Sequence, residues 1–169
     1  FDGSQWQDDP YNRVPYPWLD QTGTPYYTHM QSATAQAELY DYYALLTNAR
    51  NTNPALRTGS FDPLLVDDGS DVYAFGRKMA DDSNAAVVVA NGSATGHSID
   101  VDVSGYLPVG ATLSDVLSPA TYVVDGNGML TGINAPARSG AVLLLTGFSG
   151  RPLAVSDLTA TTGSGEINL

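Results

Sequence analysis

"AAVVVANGSATGHSIDVDV", residues 85–103, contains two kinds of strand with one turn-rich break between them. The run "AAVVVA" at 85–90 is apolar at both alternating sets of positions, which describes a strand buried on both faces or nearly so. In "HSIDVDV" at 97–103, Ile99, Val101 and Val103 alternate with Asp100, Asp102 and Ser104, so one face is buried and the other wet. Both patterns in succession favour an antiparallel sandwich.

The same punctuation runs on either side. From Gly59 onward, "SFDPLLV" ends at "DDGS", "DVYAFGRKM" at "ADDSN" and "HSIDVDV" at "SGYLPVG"; "TLSDVLS", "TYVVDG", "MLTGINA" and "GAVLLLTG" complete the series. Upstream, the period changes. In "SATAQAELYDYYALLTNARNTNP", Ala35, Leu39, Tyr42, Tyr43 and Leu46 fall at three- and four-residue spacings, Ser32 stands as a cap and Pro54 closes the region. This predicts one amphipathic helix over 32–51, with an apolar stripe that asks for a facing surface. Residues 1–31 hold Gly3, Pro10, Pro15, Pro17, Gly23 and Pro25, which deny the stretch long helices and central strands. A loop of that length points to function or to a piece of something larger. After Gly147, "RPLAVSDLTATTGSGEINL" is a proline-led link followed by an alternating run, the expected opening strand of a further domain.

Composition excludes several classes. Eighteen acidic against seven basic residues leave a formal charge of −11, which repels nucleic acid and anionic lipid. Cysteine is absent, removing disulfides and thiolate chemistry while leaving the compartment open. The apolar runs are too short to cross a bilayer as helices, so no membrane association is expected. The first residue is not Met and no basic-then-apolar leader follows, which reads as a processed end or a cut inside a larger protein.

Few residues carry the marks of chemistry. Asp8 with Asp9, Asp67 with Asp68 and Asp81 with Asp82 are adjacent pairs, whereas acid–base work needs two carboxylates facing each other across a substrate. The pairs at 67 and 81 read as turn residues; "DDGSD" at 67–71 also offers spaced oxygens for calcium, without the length or closing glutamate of a calcium loop. His29 and His97 stand alone, with no zinc spacing, and no serine elbow, phosphate loop or dinucleotide fingerprint occurs. "NGS" at 91–93 reads either as an N-glycosylation acceptor or as a hairpin turn at Asn91-Gly92. The opening stretch remains. Asp9, Asn12 and Arg13 could grip sugar hydroxyls while Trp6, Tyr11, Tyr16 and Trp18 offer flat apolar faces. The alternative is that Asp9 and Arg13 form a salt bridge that holds a loop while Trp18 plugs a core.

"DPYNRVPYPW", residues 9–18, resembles the loop after the eighth barrel strand in the α-amylase superfamily, glycoside hydrolase family 13, in its neopullulanase, cyclomaltodextrinase and amylopullulanase branch. Asp9, Pro10, Asn12, Arg13, Pro17 and Trp18 carry the match. "ELYDYYALLTNARNTNPALRTGSF" resembles that family's eighth barrel helix and its tail, at Leu46, Arg50, Pro54, Ala55, Leu56, Arg57 and Gly59. Residues 60–146 are similar to domain C, including "VYAFGRK" and "SGAVLLL", and the tail from Arg151 looks like the first strand of a fibronectin type III module.

The resemblance implies a mainly β chain: an antiparallel β-sandwich, the amylase domain C, preceded by a loop and the last helix of a (β/α)8 barrel. The divisions are 1–58 for the barrel segment, 59–147 for the sandwich and 148–169 for the linker and following strand. Asp9 and Arg13 take on contacts to a glucose unit on the non-reducing side of the cleaved bond, with Tyr11 and Trp18 as aromatic contacts. No catalytic residue or metal ligand is assigned, because the family's nucleophile, acid/base and transition-state-stabilising carboxylates lie on earlier barrel strands. The expectation is a secreted, extracellular fragment of a retaining hydrolase of α-1,4 or α-1,6 glucosidic bonds, inactive by itself. Its partners are the polypeptide carrying the rest of the barrel and an α-glucan or maltooligosaccharide. No cofactor is expected in this chain, with calcium left to the complete enzyme. The alternative is a non-catalytic carbohydrate-binding or structural β-sandwich. Binding there asks for a row of exposed Tyr or Trp on one sheet, while residues 60–146 hold only Tyr73, Tyr106, Tyr122, Phe61 and Phe75.

Overall fold

The computed structural model describes residues 21–24 and 33–148. The chain divides into two compact units, Phe1–Ala49 and Arg50–Leu169. Helix α1, Ala33–Thr52, is rich in Ala and Leu, which lose little freedom in a helix, and Arg50 in its last turn complements the negative end of the helix dipole. Along it Leu39, Tyr42 and Tyr43 are exposed and Leu46 is half-buried, so the predicted stripe is largely open to solvent.

Pro54 does more than end that helix. As its ring disfavours helical backbone at the residue before it, Asn53 turns extended (φ −106°, ψ 112°) and its side chain accepts the Leu56 N–H at 3.3 Å. Asn53 therefore caps a second helix, α2, Pro54–Thr58, with Pro54 in the first turn, where its missing N–H costs nothing. The sequence pattern alone closes the helical region at this proline and does not announce the second helix. The α2 element packs on the sheet that follows: the Ala55 N–H donates to Asn84 Oδ1 at 3.2 Å and Arg77 Nη2 donates to the Gly59 carbonyl at 2.9 Å.

Among the described residues eight strands follow, one at each predicted run: β1 Asp62–Asp67, β2 Val72–Lys78, β3 Ala85–Asn91, β4 His97–Asp102, β5 Ala111–Asp115, β6 Thr121–Val123, β7 Met129–Ala135 and β8 Ser139–Phe148. Six form one sheet in the order β1-β2-β3-β8-β5-β6, and β4 pairs with β7 in a second, every pairing being antiparallel. The sandwich expected from the alternating pattern is therefore present, as a six-stranded sheet against a two-stranded one. Val72, Ala74, Val87, Val89, Ala141 and Leu143 face inward from the large sheet, against Ile99, Val101, Leu130 and Ile133 of the small one. Asp100 and Asp102 are exposed on the other side of β4, as their alternation requires.

Sheet β4–β7 carries a bulge between Ile99 and Val101, and Gly132 meets it with φ +68°, a conformation that glycine adopts without a Cβ penalty. The Gly132 N–H donates to Asp100 Oδ1 at 2.7 Å, so the bulge leaves this donor satisfied. In β2, Gly76 makes room for Tyr106: a Cβ there would stand 2.3 Å from the ring.

The hairpin reading of Asn91-Gly92 is corrected by this topology. Strands β3 and β4 are not paired; they lie in different sheets, and residues 92–96 carry the chain from one to the other. A turn formed by Asn-Gly is compatible with either connection. The choice was made by which faces could be buried.

Candidate functional site

Asp9, Tyr11, Arg13 and Trp18, the residues predicted to touch substrate, lie outside the described residues, as do His29 and the tail from Arg151. The groups that can be placed are those of α1, α2 and the sandwich.

Several aspartates of the sandwich close turns. Asp67 Oδ1 accepts the Gly69 and Ser70 N–H groups at 3.0 and 3.1 Å, Asp81 Oδ1 takes the Ser83 hydroxyl at 2.6 Å, and Asp102 Oδ1 takes the Ser104 N–H at 2.8 Å. Asp125 Oδ1 accepts from the N–H groups of Met129 and Asn127 at 2.9 and 2.8 Å. These bonds favour the ionised form and hold the four carboxyls below the usual range. Ser70, Ser83 and Ser104 are the leading causes at Asp67, Asp81 and Asp102, as is the Met129 N–H at Asp125. Asp115 ties a turn to a strand, accepting from Leu117 N–H at 3.1 Å, Val142 N–H at 3.0 Å and the Ser118 hydroxyl at 2.6 Å. A general acid needs the opposite shift, from burial. Among the described residues, no three His, Asp or Glu side chains gather as a metal site. His97 Nε2 lies 3.3 Å from Thr95 Oγ1.

A polar cluster sits where α2 feeds into the sheet. Lys78 Nζ is 3.0 Å from Asp82 Oδ1, donates to the Tyr106 carbonyl at 3.2 Å and stands 5.1 Å from the centre of its ring. Burial pushes the Tyr106 phenol up, with the charge of Asp62 adding to the shift, so it stays protonated at neutral pH. The cluster is suited to holding a corner, not to moving protons.

The structure brings together one set of residues that the sequence left scattered. Phe61 stacks on Phe75 with ring centres 4.8 Å apart and planes 29° apart, and Phe75 stacks in turn on Tyr73 at 5.8 Å and 29°. Tyr73 and Phe75 are two residues apart on β2 and share the face opposite the core residues Val72 and Ala74, while Phe61 precedes β1. Phe61 is 57% exposed. The signal was the i, i+2 spacing in "VYAFG", but Phe61 joins the row only through the β1–β2 register.

No family model matches the chain. It is 28% identical over 173 residues to an amylopullulanase of Thermoanaerobacter thermohydrosulfuricus, and 27% identical over 172 residues to one of Thermoanaerobacterium thermosulfurigenes. Each alignment takes in 95% of this chain, which spans only 10% and 8% of those relatives. An Anoxybacillus α-amylase shares the fold, with a TM-score of 0.60 at 22% identity over 85% of this chain and 27% of that one. Near-complete alignment to two amylopullulanases, together with a β-sandwich preceded by helices, shows homology to the amylase- and pullulanase-type proteins of the α-amylase superfamily, glycoside hydrolase family 13.

Proposed function

We propose that the chain is the carboxy-terminal part of a secreted, retaining α-glucan hydrolase that cleaves α-1,4 or α-1,6 glucosidic bonds. Residues 1–58 complete the catalytic barrel, 59–147 are its domain C, and 148–169 lead into a fibronectin type III module. Asp9 and Arg13 contact a glucose unit, Tyr11 and Trp18 pack beside it, and the catalytic carboxylates belong to the preceding polypeptide. The observation that carries this reading is the alignment of 95% of the chain with about a tenth of an amylopullulanase. The exposed apolar residues of α1 support it, since Leu39, Tyr42 and Tyr43 form a surface suited to lie against a barrel.

The test is mass analysis of the native preparation joined to an activity assay. The expected result is a non-covalent companion carrying a barrel of about 250 residues, with the pair releasing short sugars from a maltooligosaccharide. Asp9→Ala and Arg13→Ala in that pair are expected to lower kcat/KM. A native preparation in which the chain has no such companion overturns the proposal.

The row Phe61, Phe75 and Tyr73 favours a second reading, in which the sandwich itself binds glucan on stacked rings. Retardation of the chain in a gel containing soluble starch, lost in Phe61→Ala, supports this reading; equal mobility with and without starch removes it.

A further inference from the structure

We infer that the Asn91-Gly92-Ser93 acceptor sequence is closed to N-glycosylation in the folded chain, because the Asn91 side chain is the clamp that joins the two sheets. Asn91 ends β3 in the large sheet and is 3% exposed. Its Nδ2 donates to three carbonyls, those of Thr95 at 2.8 Å, Ala135 at 3.0 Å and Pro136 at 3.0 Å. Two hydrogens facing three acceptors means that one bond is shared. Ala135 ends β7, in the other sheet, so a single amide fastens one layer to the other across the core edge.

The rest of the tripeptide is engaged as well. Asn91 Oδ1 accepts the Ser93 N–H at 2.9 Å, the Gly92 N–H donates to the Asp71 carbonyl at 2.9 Å, and the Arg138 N–H donates to the Ser93 carbonyl at 2.9 Å. The Ser93 hydroxyl accepts the Thr95 N–H at 3.0 Å. Glycan transfer replaces one Nδ2 hydrogen with a bond to the sugar's anomeric carbon. The hydrogen leaves as a proton and the activating phosphate leaves the sugar. A glycan attached at Nδ2 would stand where the Thr95, Ala135 and Pro136 carbonyls converge, and at least one of them would lose its donor. The motif that reads as an acceptor is structural.

The experiment compares the chain with Asp68→Asn, which places the same Asn-Gly-Ser tripeptide in the exposed turn at 68–70. Both are produced in a glycosylating host, and the folded monomer is weighed intact before and after peptide N-glycosidase treatment. The expected result is a bare wild-type monomer and a variant carrying its glycan at position 68 only. Sugar on Asn91 in the folded monomer overturns the inference. Should the host leave both chains bare, hydrogen exchange of the side-chain amides decides. Protection of Asn91 Nδ2 after the exposed Asn127 has exchanged fully supports the clamp, and equal exchange of the two overturns it.

Discussion

Along α1, Leu39, Tyr40, Tyr42, Tyr43 and Leu45 stand exposed, whereas in the sandwich Leu113, Leu130, Ile133 and Leu143 are wholly shut away from solvent. Both regions are marked by the same kind of signal, a period in the apolar residues. The period identifies an element but does not say whether the chain supplies the surface that covers it. Two sheets of one sandwich supply each other's cover, whereas the apolar residues of α1 are left exposed among the described residues. On the proposed reading, the sandwich stabilises itself and α1 draws its stability from the assembly.

The contrast can be broken most directly in the core. Leu143→Ala removes a side chain with no exposed area and leaves a cavity, so a loss of about 2–5 kcal/mol is expected in a urea titration. A loss below about 1 kcal/mol would mean that the sandwich is not the self-contained unit described. Next comes Asn91→Asp, which keeps the size, removes the donor and turns a carboxylate toward three carbonyls. The expected cost is about 2–3 kcal/mol, with a matching fall in thermal midpoint.

Acid sharpens the comparison, because the turn carboxylates belong to the sandwich. Asp67, Asp81, Asp102 and Asp125 are held below the ordinary aspartate value of 3.8 in the folded chain. A depressed folded value contributes stability that is present above the unfolded value and lost as pH falls through the folded one. Stability is therefore expected to hold down to roughly pH 5 and to decline below about pH 4, followed by circular dichroism of the sheet. Asp102→Asn is expected to flatten part of that decline. The smallest effect is expected from Tyr43→Ser on α1, where the ring is 63% exposed: within about 0.5 kcal/mol in the chain alone. The same change is expected to weaken association with the barrel polypeptide, and an equal effect in both settings would remove the distinction between the two regions.

The strands were legible because their cause is local. Alternation in "HSIDVDV" and turn formers such as "DDGS" act over a few residues, and each of the eight runs became a strand at or near its expected place. Pro54 shows the limit of that logic. Its role as a helix breaker is visible in the sequence, but its second role, at the start of α2, depends on Asn53 bending back to cap and on β2 and β3 receiving Ala55. The proposed substrate contacts Asp9, Tyr11, Arg13 and Trp18 rest on a motif alone. The row of Phe61, Phe75 and Tyr73 was hidden because two of its members share a strand and the third arrives through pairing.

By itself the sequence determined the class of most described segments, α2 apart: a helix read over 32–51, eight short strands and the polar turns between them. It also determined the acidic balance, eighteen acidic against seven basic residues. These follow from side-chain periodicity, from the φ restrictions of Gly and Pro, and from charge, none of which needs a distant contact. Only the tertiary structure decided that β3 and β4 part company, that β8 enters between β3 and β5, and that Asn91 serves as a bracket and not a hairpin corner. Those outcomes depend on pairing strands far apart in the chain, where the energy comes from burying Val87, Leu130, Ile133 and Leu143 against one another. A local pattern marks which face of a strand is apolar; only packing decides what that face meets.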